Sequence, residues 1–160
     1  MTQDGQELID AFFAALSLRD FDQCAATLAQ LRALSQDQPA YTPWCAYFDG
    51  ILANERDNDY AEAERVFRRL LSTDFDPALR GRVLLALGVT CHYQGHWMDA
   101  IRAYESCQPI FARLEQPVNQ AKAWKETAIS YRRGFTQGDF GPEALENALA
   151  YCQRALDILE

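Results

Sequence analysis

The stretch Arg82-Val-Leu-Leu-Ala-Leu-Gly-Val-Thr-Cys-His-Tyr-Gln-Gly-His-Trp-Met-Asp-Ala-Ile-Arg-Ala-Tyr-Glu-Ser-Cys107 sets two apolar helical stripes on either side of a Gly95-His96-Trp97 turn. Leu84, Leu87, Gly88 and Cys91 recur at the three- and four-residue intervals of one helix face. Ala100, Ile101, Tyr104 and Cys107 do the same on the other side of the turn. A glycine on the first stripe lets two helices cross closely, and an aromatic on the second fills the gap beside it. The segment therefore reads as a helical hairpin.

Related hairpins are predicted elsewhere. Residues 6–18 place Leu8, Ile9, Phe12, Phe13 and Leu16 at helical spacing. After a turn at Arg19-Asp20-Phe21, with Asp22 as the expected N-cap, a second helix carries Cys24, Leu28 and Leu31. The polar run 35–39 reads as a loop. Pro43 opens a third helix with Trp44, Tyr47, Phe48, Ile51 and Leu52 on its buried face. Asn58-Asp59-Tyr60 then turns the chain into a fourth helix carrying Ala63, Phe67 and Leu70. Pro109 is expected to kink the helix that follows Trp97, or to stop and restart it, because proline lacks the amide donor and crowds the preceding turn. Gln116-Pro117 marks the next break, Trp124, Ala128 and Tyr131 the next inward stripe, and Gly134 to Pro142 a long turn.

The turn aromatics Phe21, Tyr60 and Trp97 are separated by 39 and 37 residues, and Cys24, Ala63 and Ala100 keep the same intervals. That near-period, with the Leu-Gly and Ala-x-x-x-aromatic pattern of 82–107, resembles the tetratricopeptide repeat (TPR) family. The region from Ala103 to Leu114 is similar to the long-helix repeats of large bacterial regulatory proteins. Phe12 stands where the family has a small residue, and Gly50 aligns there with a one-residue shift. The resemblance implies an all-α fold: a right-handed α-solenoid of about four antiparallel hairpins in one domain spanning 1–160. The units are approximately 5–39, 40–77, 78–117 and 118–160.

Composition narrows function. A net charge of −8 opposes binding to nucleic acid or to an anionic membrane, since both attract basic surfaces. No apolar run approaches the roughly 20 residues that span a bilayer. The N-terminus lacks a signal-peptide pattern, so a cytoplasmic location is expected. The five cysteines form no CxxC pair, and all are expected as buried thiols. There is no phosphate loop and no nucleophile elbow. His92 and His96, four apart beside Cys91, read better as turn residues than as metal ligands. No enzyme activity, cofactor or metal is expected.

One charge pattern stands out. Segment 121–134 carries four basic residues and one acid, +3 in a chain of −8. Lys122, Lys125, Arg132 and Arg133 share one helix face with Ile129 among them. The resemblance implies that first helices line a concave groove, with Arg82, Leu85, Val89, His92 and Tyr93 as the corresponding positions one unit earlier. Such a groove would hold an acidic or C-terminal carboxylate segment of a protein through charge-assisted bonds; otherwise the face is simply solvated. The expected function is a protein-binding scaffold, the alternative a regulatory or sensor domain acting in cis within a larger bacterial signalling or protease-type protein.

The last helix carries Leu145, Leu149, Cys152, Leu156 and Leu159 on one stripe, widened by Ala144, Ala148, Tyr151, Ala155 and Ile158. Only Glu146, Asn147, Gln153, Arg154, Asp157 and Glu160 remain to wet it. So broad a stripe exceeds what one covered side requires. It is expected to be covered by further repeats of a longer parent chain or by a second copy in a homodimer.

Overall fold

Four times the chain reverses in the same way, by a residue of left-handed conformation followed two positions later by an aromatic. Arg19 (φ 56°), Asn58 (φ 53°), Gly95 (φ 76°) and Gly138 (φ 85°) precede Phe21, Tyr60, Trp97 and Phe140. At each reversal the next amide donates back to the preceding helix: Asp20 to Ala15 O, Asp59 to Ala53 O, His96 to Cys91 O and Asp139 to Gly134 O. Such back-donation satisfies carbonyls that a helix C-terminus otherwise leaves unpaired.

Residues 3–159 are described in the computed structural model. They form eight α-helices, with no strand among the described residues: α1 (Gln3–Ser17), α2 (Phe21–Asp37), α3 (Thr42–Glu55), α4 (Tyr60–Leu71), α5 (Pro77–Tyr93), α6 (Trp97–Arg113), α7 (Pro117–Gln137) and α8 (Glu143–Asp157). A short 3₁₀ turn, Pro39–Tyr41, precedes α3. No described helix is long and apolar enough to cross a membrane. Glu160 lies outside the described residues. The chain divides into two compact units, Met1–Leu70 and Leu71–Glu160.

In the first unit aromatic rings make the core. Phe12 stacks on Phe48 with ring centres 3.7 Å apart, and Phe13 sets its edge against Phe48 and Trp44. The position where the repeat pattern favours a small residue is thus filled by a stacked ring. Phe67 of α4 reaches Tyr47 and lies so close to Gly50 that a Cβ there would overlap its ring. Asp20, not the expected Asp22, caps α2 by accepting from the Gln23 amide at 3.0 Å. The cap moves because Phe21 is already helical.

In the second unit α5 and α6 cross at Gly88, whose missing Cβ leaves room for the Tyr104 ring. Asp76 caps α5, accepting from the Ala78 and Leu79 amides, with Pro77 in the first turn. Helix α6 runs unbroken through Pro109, since Ile110 and Phe111 beyond it are buried and hold the last turn in place. Helix α7 packs against both α5 and α6, and α8 packs against α7. Tyr131 and Tyr151 stack across that last pair, 5.9 Å apart, and the Tyr151 hydroxyl donates to Glu105.

Two further expectations are corrected. Gly134 is not in the turn: α7 continues to Gln137, because a glycine inside it admits the Phe140 ring against its backbone. Cys24, Cys45, Cys91 and Cys107 are buried, but Cys152 of α8 is exposed. Burial pushes the Cys107 thiol up to about 12.

The Gly88 crossing yields a stability test. Gly88→Leu drives a branched side chain into the Tyr104 ring, and overpacking of this kind costs about 3 kcal/mol. Urea titration should give a lower midpoint with an unchanged slope; a midpoint equal to wild type would mean that the crossing is not closed.

Candidate functional site

The basic face lies on α7. Successive α7 residues rotate by about 100°, so Val118, Lys122, Lys125, Ile129, Arg132 and Arg133 fall in one stripe. The opposite side carries the buried Ala123, Thr127, Ser130 and Gly134. Lys122, Lys125, Arg132 and Arg133 are exposed and Ile129 is half-buried. Lys125 pairs with the neighbouring Glu126 at 3.0 Å. The two ends of the stripe are separated: at about 1.5 Å per residue, Arg132 lies roughly 10 Å along the helix from Lys125.

The lysine end adjoins a cavity. A cleft of about 440 Å³ runs between α7 and α8, lined by Val118, Ala121, Lys122, Lys125, Cys152, Ala155, Leu156 and Leu159. Alanines, leucines, the cysteine and the lysine stems make its lining almost wholly apolar. Lysine serves such a rim well, because its methylenes cover apolar surface while its ammonium stays in water. On the sequence, these lysines and the α8 leucines are read as separate features. Their meeting is decided by the register of the α7–α8 reversal, which sets Lys122 beside Leu156 and Leu159.

The corresponding α5 positions have a different setting. Leu85 is buried, Arg82 and Val89 are half-buried, and Tyr93 is exposed. His92 is half-buried, its Nδ1 2.9 Å from the Ser130 hydroxyl of α7 and its ring 5.0 Å from Trp97. On α5, then, this face meets a neighbouring helix at His92, whereas on α7 it is open. Trp97 Nε1 donates to Asp139 at 2.9 Å, tying the start of α6 to the α7–α8 turn. Among the described residues, no three His, Cys, Asp or Glu side chains are grouped to hold a metal ion.

No protein-family model matches the sequence, and no curated protein matches it significantly.

The His92 contact carries a pH dependence. Burial lowers the imidazole's affinity for a proton, partly offset by Glu126 and reinforced by Arg133. The folded state therefore binds a proton less readily than the unfolded chain, whose imidazole titrates near 6.5. Stability should be intact above that pH and fall as pH drops through and below it. Chemical denaturation at pH 7.5 and at pH 5 should show a smaller acid loss for His92→Gln than for wild type; equal losses would mean that His92 does not report folding.

Proposed function

We propose that this chain is a protein-interaction module, a TPR-like helical repeat that works by binding rather than by catalysis. In this reading its hairpins follow one another as an α-solenoid. Support comes from the shared geometry of the four reversals and from the recurrence of glycine against an aromatic ring. Gly50 and Gly88 meet Phe67 and Tyr104 at intervals of 38 and 37 residues.

The observation that carries the proposal is the α7 surface: a basic stripe in a chain of net charge −8, whose lysines border an apolar cleft. A partner segment with acidic side chains beside apolar ones would meet both. The apolar contact supplies affinity, while the charges steer encounter and choose the partner. The occupant that this surface asks for is an acidic, partly apolar segment of a protein chain.

Binding to a labelled peptide with leucines on one helical face and glutamates along its edge tests this. Reversing Lys125 and Arg132 to glutamate should weaken binding at least about tenfold, as for rim and near-rim charges that change sign. The far-ultraviolet circular dichroism should stay unchanged, since both residues are exposed. Affinity unaffected by the double reversal would sink the proposal and leave the face as solvated surface.

A further inference from the structure

The cleft between α7 and α8 selects the conformation of what fills it. Its lining offers almost no polar atom, so an extended peptide there would bury backbone N–H and C=O groups without partners. A helix satisfies those groups internally. The same unit already contains one such solution, since α7 itself lies against both α5 and α6. The lysines at the rim ask further that the incoming helix carry acids along one edge of its apolar stripe.

The chain presents a helix of that description. On α8, Leu145, Leu149, Cys152, Leu156 and Leu159 repeat at alternating four- and three-residue steps, the spacing of a helix-pairing seam. The leucines are 43%, 72%, 60% and 59% exposed in chain order, and Cys152 is exposed as well. Helical rotation puts Glu146, Gln153 and Asp157 along the edge of this seam that faces away from α7. Gln153 Nε2 donates to Asp157 at 2.7 Å, fixing the acid on that edge. Across this end of the unit, then, the surface runs from an acidic edge through an apolar band to a lysine edge. Asp157 follows Leu156, which lines the cleft with Lys122 and Lys125, so the acid and the lysines are level along the helix.

We infer that the cleft receives α8 of a second copy of this chain, each copy covering the other. A two-fold axis running along the seam places each acidic edge over the other copy's lysine edge. An axis across the seam would set acid on acid. The favoured arrangement pairs the two α8 helices side by side in the same direction and brings Cys152 opposite its counterpart. Isologous pairing of this kind is the commonest way an exposed apolar patch is closed. The inference rests on the interaction-module reading for the use of this surface, but not on the acidic partner proposed there.

Light scattering and sedimentation across a dilution series, from micromolar to near-millimolar chain, read the association directly. Wild type should pass from monomer to dimer. Leu149→Glu with Leu156→Glu, at exposed positions where folding is not at stake, should raise the dissociation constant about 30-fold or more, as for residues central to an interface. Lys122→Glu with Lys125→Glu should weaken the dimer, and adding Asp157→Lys to that variant should restore it. A short bis-maleimide should join two copies at Cys152, and Cys152→Ser should abolish the product. A strict monomer at every concentration, a dimer indifferent to the leucine changes, or no rescue by the charge swap would each overturn the inference. A monomer that still binds the acidic peptide would overturn this inference alone and leave the partner-binding proposal standing.

Discussion

The Tyr104 ring lies against the bare backbone of Gly88, and the close packing of α5 on α6 depends on that contact. Any side chain at position 88 would hold the helices apart, and any smaller residue at 104 would leave a void. The contact has a polar cost. The Tyr104 hydroxyl is buried with no hydrogen-bond partner, and burial pushes its ionisation well above the ordinary phenol value. Magnitudes decide the balance. An unpaired hydroxyl costs about 1–3 kcal/mol, whereas burying a ring of this size contributes about 4–6 kcal/mol. Phe67 on Gly50 makes the equivalent contact in the first unit without the hydroxyl. In α7 the same device is used on a turn: Gly134 accepts Phe140, which lies outside the helix.

The reversals then fix which helix faces are used up. A left-handed residue, a back-donated amide and an aromatic two positions on turn the chain within three to five residues. Consecutive helices are thereby held in contact from their shared end. In the second unit each helix covers part of the one before it, and α7 covers both α5 and α6. The last pair, α7 and α8, is left with a groove that no described helix enters. Its apolar lining and the exposed leucines of α8 are the part of this pair that the preceding helices leave uncovered.

Electrostatics gives that surface its sign. The chain as a whole is acidic, and most described arginine pairs are local and exposed, such as Arg65 with Glu62 and Arg68 with Glu64. Pairs of this kind contribute little to stability. Lys122 and Lys125 differ in context rather than strength, because they stand over an apolar cleft instead of a solvated helix flank. Next to low-dielectric surface, a charge discriminates between partners more sharply than one in open solvent.

Much of the fold was legible in the sequence, because helices here are written locally. The stripe 84-87-88-91, the caps at turns and the prolines at helix starts each specify structure within a few residues, and the 37- to 39-residue recurrence announces the repeated reversal. Where the sequence misled, a distant contact outweighed a local preference. Of the two outcomes expected at Pro109, the stop and restart does not occur, because Ile110 and Phe111 are buried beyond it, and Gly134 does not open a turn because Phe140 folds against it. The basic stripe of α7 and the apolar stripe of α8 were both visible as periodicities. That the lysines of one line a cleft with Leu156 and Leu159 of the other was decided only by the register in which α8 returns along α7. Helical periodicity assigns residues to a face; only packing determines which faces meet and which stay open.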